Sequence, residues 1–293
     1  MFNGSGRARS ALAQEVRSEP STSEREVLIE FRDVHKSFGS KKVLQGATFN
    51  IYRGEAVGII GGSGTGKSTT LRLIAGLLQP DEGEIVINGQ PRVGLLSDGQ
   101  EDSFGLQLGL VFQNTALFDS LTVMENVGFQ LFEHSDVPYD DVCAVVTENL
   151  AKVGLRDVGD LYPSQLSGGM KKRVALARAI TAELDSGLEK MIMYDEPTAG
   201  LDPVASTVVE DLMRSIHAPP AVAAGDAQDR SGVSSYIVVT HQHSTIRRGV
   251  DRIVFLDKGK VVWEGATSEF DTTENEFVKQ FSRGLLNGPI SYT

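Results

Sequence analysis

Cysteine and tryptophan occur once each, as Cys143 and Trp263, in a chain of 293 residues. A single thiol excludes an intramolecular disulfide and any cysteine-based metal cluster, and it fits a reducing compartment. Long apolar runs are missing: none approaches the roughly 20 residues that span a bilayer, so the chain reads as soluble or peripheral to a membrane. Basic blocks are missing too. Lys and Arg number 28 against 39 Asp and Glu, a net charge of −11, and no cationic face compensates; this argues against nucleic acid as a partner. What the chain does have is apolar residues at 40 %, enough for a sizeable core, and 31 glycines. Its length allows one large α/β domain or two small ones.

The glycines cluster first at Gly61-Gly62-Ser63-Gly64-Thr65-Gly66-Lys67-Ser68. This run fits G-x-x-x-x-G-K-[ST], a phosphate-binding loop. Ala56-Val57-Gly58-Ile59-Ile60 before it is short, apolar and β-branched, the mark of a buried parallel strand. Thr69-Thr70-Leu71-Arg72-Leu73-Ile74-Ala75-Gly76 after it reads as a helix stopped by glycine. Strand, loop and helix together let backbone N–H groups and a helix N-terminus surround a phosphate. Lys67 then reaches the β- and γ-phosphates, and the Ser68 hydroxyl ligates Mg²⁺.

In chain order, residues 1–26 are polar and aperiodic and read as a disordered tail; Arg7 and Arg9, with no acid among the first fourteen residues, loosely suggest a transit peptide that Glu15, Glu19 and Glu24 then spoil. Strand signals begin at Val27–Phe31, Val34–Gly39 follows, and a second strand is expected near Ala47–Ile51. Phe38 beside a glycine is placed either to stack on an adenine or to join the core. Gly83–Gly89 reads as a strand with a turn, Ser97–Ser103 as an exposed loop, and Leu108–Gln113 as a strand ending on Gln113, a metal ligand or a solvated cap. From Thr122 to about Val153 the pattern is helical, opened by a Thr122/Glu125 capping box; His134 sits in a polar turn. This stretch interrupts the α/β alternation like an inserted helical subdomain.

Two further segments carry chemistry. Leu166-Ser167-Gly168-Gly169-Met170-Lys171-Lys172-Arg173 opens a second helix with an N-cap serine and two glycines, a second anion-binding terminus. Met191–Pro197 is a buried strand ending in Asp195-Glu196, and buried strands seldom end in two carboxylates without a cation or a water to manage. Asp195 is placed to hold Mg²⁺ through its hydration shell and Glu196 to polarise an attacking water. Asp202-Pro203 starts a helix to about His217, and residues 218–233 read as a loop. Tyr236–His241 is a strand ending on His241, a structural histidine or a γ-phosphate contact. His35, His217 and His243 suggest no role. The hairpin around Asp257–Lys260 reads as a pair of edge strands, with Trp263 packing.

Taken together, residues from about Val27 to Phe270 resemble the ATP-binding subunit of ABC transporters, with five motifs in order. The Leu166–Met170 run is similar to the ABC signature, with Met170 where glutamine is usual. The resemblance implies an α/β fold: a RecA-like P-loop core, an N-terminal antiparallel β subdomain, and a helical subdomain over about 114–172. Residues 271–293 form a C-terminal extension. It also implies roles: Phe38 on adenine; Gly61 to Thr69 and Lys67 on phosphates; Gln113 in the Q-loop; Asp195 and Glu196 as the Walker B pair; Asp202 in the D-loop; His241 as the switch histidine. The expected cofactors are ATP and Mg²⁺, the latter held by Ser68, Gln113 and Asp195.

A narrower resemblance rests on Tyr194–Pro203, on Met170-Lys171-Lys172-Arg173, on Thr240-His241-Gln242-His243-Ser244, on Asp119–Val127, and on Phe277–Phe281 followed by Asn287–Ile290. These look like the ATPase of Mce-type lipid importers, in particular the plant and algal trigalactosyldiacylglycerol lipid transporter. That implies work at the stromal side of the chloroplast inner envelope, with the cytoplasmic face of a bacterial inner membrane as the alternative. It implies phosphatidic acid or a related glycerolipid as cargo. The implied partners are a second copy facing head to tail, so that each ATP lies between one P-loop and the opposite Ser167–Gly169, a membrane permease, and a lipid-binding Mce-type protein. The rival expectations are an ABC ATPase for another cargo, such as an amino acid or an ion, and a soluble ABC ATPase of DNA repair; the latter would bring a coiled coil, zinc cysteines or a basic face.

Overall fold

The computed structural model describes residues 25–95, 104–181, 188–217 and 233–290. Residues 1–24 of the tail read over 1–26, the loop read at 97–103 and residues 218–232 of the loop read after His217 lie outside them. The elements run β1 (Val27–Phe38), β2 (Lys41–Tyr52), β3 (Ala56–Gly61), α1 (Lys67–Ile74), β4 (Glu82–Ile87), β5 (Gln90–Pro91), β6 (Leu106–Val111), α2 (Val123–His134), α3 (Tyr139–Lys152), α4 (Gly168–Thr181), β7 (Glu189–Asp195), α5 (Pro203–Ile216), β8 (Val233–Val239), α6 (His243–Gly249), β9 (Arg252–Asp257), β10 (Lys260–Ala266) and α7 (Glu276–Arg283).

The strands make two sheets. One is antiparallel, in the order β2-β1-β4-β5; the other has six strands in the order β10-β9-β3-β8-β7-β6. In the larger sheet β9, β3, β8, β7 and β6 are mutually parallel and β10 runs against β9. Side chains alternate across it. Ile60, Ile192, Tyr194, Tyr236, Val238, Ile253 and Phe255 face one core with α2 to α4, whereas Val57, Ile59, Met191, Met193, Ile237, Val239, Val254 and Leu256 face a second core shared with the antiparallel sheet and α1. Both faces are covered, which is why these strands are continuous apolar runs. The structure is a mixed α/β fold with the glycine-loop strand β3 inside its larger sheet.

Val27–Phe31 and Val34–Phe38 form one strand: Asp33 takes a left-handed φ of 49° and the register shifts there, so a bulge absorbs the polar break and pairing resumes beyond it. Two expectations change. The strand at Arg252–Asp257 is not an edge strand; it lies between β10 and the P-loop strand β3 and is almost wholly buried. Its turn is clasped by β2, with Gln45 N–H donating to Gly259 O at 2.9 Å. Gly259 has φ +76°, and a Cβ there would stand 2.4 Å from Val43 O, so only glycine fits. Finally, Val233, read as loop, opens β8.

The helical segment is two helices, α2 and α3, and its start follows the expected capping box: Thr122 Oγ1 accepts from Glu125 N–H while Glu125 accepts from Thr122 N–H. His134 ends α2 and is exposed. Asn126, fully buried, organises the turn before α2: it donates to the carbonyls of Phe118, Leu121 and Thr122 and accepts from Phe118 N–H at 2.8 Å. Asn126→Ala leaves those buried groups unpaired and is expected to lower stability by about 1–3 kcal/mol, read by urea unfolding; an unchanged unfolding midpoint would contradict this role.

Residues beyond Phe270 fold back onto the larger core through Val278 and Ile290. Gln280 is buried and tethers that tail, accepting from Ile290 N–H at 2.7 Å and donating to Ile290 O at 3.0 Å.

Candidate nucleotide site

The strand β3 delivers the chain to the glycine loop at a point where side chains have no room. Gly61 has φ +148°, and a Cβ there would lie 2.1 Å from Leu256 O; Gly66 has φ +106° and packs on Leu44. Gly66 then caps α1 in the left-handed conformation. Thr65 Oγ1 donates to Gly62 O at 3.0 Å and Thr70 Oγ1 to Gly66 O at 3.1 Å, so the loop is braced internally. Ser63 and Gly64 are exposed, Ser68 and Thr69 partly so. Lys67 Nζ curls back over the loop, donating to Gly61 O at 3.0 Å and Gly62 O at 2.8 Å. Burial pushes the Lys67 ammonium below its ordinary value, opposed by the carboxylates of Glu196 and Asp195.

The end of β7 faces this loop. Ser68 Oγ donates to Asp195 Oδ1 at 2.8 Å. Asp195 is buried, and burial pushes its carboxyl up against the pull of Ser68. Glu196 turns out of the strand with φ +49°, a conformation rare for a non-glycine residue, held by its N–H donating to Val239 O at 2.8 Å. His241 Nδ1 hydrogen-bonds Glu196 Oε1 at 2.7 Å; with the carboxylate ionised, the ring nitrogen is the donor. Glu196 Oε2 is buried without a hydrogen-bond partner. A buried, unpartnered carboxylate oxygen beside an exposed histidine is a ready acceptor for a water proton.

The structure therefore brings together Gly61–Thr69, Asp195, Glu196 and His241. Gln113 lies two residues past β6, exposed, its backbone oxygen accepting from Lys172 Nζ. Phe38 ends β1 and is 47 % exposed, a flat face available to a ring, with Lys36 Nζ 5.9 Å from its centroid. Ser167, Gly168 and Gly169 are not in this constellation. They line a separate cleft of about 370 Å³ with Gly200, Leu201 and Asp202, and no P-loop residue borders it. Ser167 Oγ caps α4 by accepting from Met170 N–H, and Asp202 Oδ1 caps α5 by accepting from Val204 and Ala205 N–H at 2.9 and 3.0 Å.

Magnesium fits the donor set. Ser68 and Asp195 supply hard oxygens already 2.8 Å apart, and among the described residues no group of three His, Cys, Asp or Glu forms a cage of its own. Mg²⁺ is typically held by one or two protein oxygens plus substrate phosphates.

Sequence reasoning passed over three residues. Lys41 Nζ lies 3.8 Å from where a Cβ on Gly64 would be, a second cation at the loop; the pair Lys41-Lys42 just after Phe38-Gly39 was the available signal. Thr198, fully buried, donates to Gln242 Oε1 at 2.7 Å, and its hydroxyl is 3.1 Å from that of Thr245. Thr245 and Ser244 both donate to the buried Glu210. This polar chain ties the turn after Glu196 to the turn after His241. The third is Lys172. His217 and His243 are structural: His217 bonds Ser234 O, and His243 packs on Phe270 and Phe281.

The family model for the ABC transporter matches residues 44–199. The chain belongs to the ABC transporter family. This ABC ATPase is 56 % identical over 270 residues to protein TRIGALACTOSYLDIACYLGLYCEROL 3, chloroplastic, of Arabidopsis thaliana, covering 91 % of this chain and 76 % of that protein. It is 32 % identical over 265 residues to the intermembrane phospholipid transport system ATP-binding protein MlaF of Escherichia coli K12, covering 90 % and 92 %. Its fold matches a solved dimeric post-hydrolysis state of the ATP-binding cassette MJ0796 bound to ADP and Pi, with a TM-score of 0.68, 29 % identity, and coverage of 82 % of this chain and 99 % of that one. The protein is an ATP-binding, ATP-hydrolysing subunit of a transporter.

Proposed function

We propose that the ABC ATPase powers glycerolipid import, phosphatidic acid or a relative, at the stromal side of the chloroplast inner envelope, working with a membrane permease and a lipid-binding Mce-type protein. The observation that carries this reading is 56 % identity across 91 % of the chain to a protein named as chloroplastic. The relation to a phospholipid transport ATPase adds the cargo class. Among the described residues no helix is long and apolar enough to cross a membrane, and in this reading a permease supplies the path.

Each residue has a task in this reading. Phe38 stacks on the adenine. The amides of Gly61 to Thr69 and the Lys67 ammonium bind phosphate oxygens. Ser68, Gln113 and Asp195 hold Mg²⁺, which neutralises phosphate charge when bound. Glu196 takes a proton from the attacking water, and His241 orients Glu196 and touches the γ-phosphate. Because the Ser167–Gly169 cleft lies apart from the P-loop within one chain, a second copy facing head to tail presents Ser167, Gly168, Gly169 and Asp202 across the nucleotide. The MJ0796 cassette, dimeric and bound to ADP and Pi, supports pairing with a second copy.

The permease contact falls on the turn after Gln113. Phe118 is 46 % exposed and packs against Phe129, the rings tilted by 36° with centroids 4.9 Å apart; Tyr139 is 66 % exposed beside Phe132. Phe118→Asp is expected to abolish assembly with the permease and leave ATP affinity unchanged, scored by co-purification from host membranes and by nucleotide titration. Assembly at the unaltered level would contradict the placement. The function itself is tested by isolating the complex from those membranes and measuring its ATPase rate. Stimulation by phosphatidic acid vesicles and not by amino acids or ions supports the reading; the reverse supports another cargo.

A further inference from the structure

Helix α4 carries four cations, and three of them are directed at backbone carbonyls. Arg178 donates to Thr115 O and Ala116 O, both at 2.8 Å; Arg173 donates to Gly154 O at 3.1 Å, at the end of α3; Lys172 donates to Gln113 O and, at 3.4 Å, to Glu196 O. Thr115 and Ala116 stand at φ +60° and +49°, two consecutive strained residues that persist only where surroundings hold them. Lys172 is the unusual member. It is only 7 % exposed, and it makes no salt bridge among the described residues. Burial disfavours its charge, and the nearby Asp195 and Glu196 carboxylates offset this without forming a salt bridge with it; an ammonium so placed is costly to bury, and an apolar residue of similar length would fill the space. Its two acceptors come from the turn carrying Gln113 and from Glu196 itself, while its helix begins at Ser167, the residue that serves the opposite copy's nucleotide in the reading above.

We infer that Lys172 is a positioning residue: its ammonium locks the Q-loop and the Glu196 turn onto the signature helix, so that Glu196 is aimed at water only while that helix is seated. The inference rests on the proposed site. The ammonium touches no substrate atom; it fixes two backbone oxygens whose displacement would swing Gln113 and Glu196 out of line. Misplacing a reacting group by 1 Å costs about 10²-fold in rate, and loss of one of several restraints is expected to cost about tenfold.

The test compares Lys172→Met, Lys172→Arg and the unaltered chain in the assembled transporter complex. Lys172→Met is expected to lower kcat about tenfold with KM for ATP changed less than about twofold, the division expected when only transition-state geometry suffers. Lys172→Arg restores most of the rate. In a Glu196→Gln background, Lys172→Met still traps ATP to the same stoichiometry. Lys172→Gln replaces Lys172→Met if the latter does not fold. Unaltered kcat in Lys172→Met overturns the inference, and so does a joint loss of trapping and rate that Lys172→Arg fails to rescue. Absence of trapping in Glu196→Gln with Lys172 intact instead overturns the site on which the inference rests.

Discussion

Glu196→Gln is expected to cut ATP turnover by about 10²–10⁴-fold, the usual cost of losing a general base, while nucleotide binding survives. Glu196 leaves β7 through a left-handed φ of 49°, and its carboxylate is clamped on one oxygen by His241 at 2.7 Å. The other oxygen is buried and unpartnered, the acceptor a water needs. An amide keeps the volume and an acceptor oxygen but has no useful basicity. Lys67 and the glycine loop are untouched, so ATP still enters. With hydrolysis blocked, the dimer should accumulate closed around it, visible as a shift to dimer by size-exclusion chromatography in ATP. A variant that releases phosphate at the unaltered rate would remove Glu196 from the role of base.

The parts of this account that were readable in the sequence are those whose partners lie close along the chain or in a fixed motif. The P-loop follows from one run, Gly61 to Ser68, between a β-branched strand and a helix, and the structure places β3 and α1 around it. Asp195 and Glu196 stood out because two carboxylates end an apolar strand; Ser68 and His241 then meet them. Thr122 and Glu125 are three residues apart and cap α2 as a local rule says. The parts that were not readable depend on distant partners. Arg252–Asp257 looked like an edge hairpin because its turn is local, but its other neighbour is β3, near the start of the fold. Lys172 reads as one more cation on a helix; its acceptors are backbone oxygens 59 and 24 residues away, which no side-chain pattern announces. Thr198 is hidden likewise, its partners Gln242 and Thr245 lying across two strands. Asp202-Pro203, an N-cap followed by proline, marks the start of α5 in the sequence, and Asp202 caps that helix.

The largest remaining effect concerns the division of the site between two chains. Lys67→Ala removes the phosphate cation from its own P-loop. Ser167→Arg sets a bulky side chain in the cleft that must receive the opposite nucleotide. Each variant alone is expected to lose nucleotide trapping completely, since both sites of a homodimer carry the defect. When the two dead proteins are mixed, the mixed dimer holds one site with both lesions and one with neither, because an intact Lys67 from one chain then faces an intact Ser167 from the other. The decisive measurement is the amount of ATP trapped per mixed dimer, isolated with distinct affinity tags and carrying Glu196→Gln in both chains to hold the nucleotide. A shared head-to-tail site predicts one ATP per mixed dimer from two proteins that separately trap none; mixed dimers that form and trap none would contradict it.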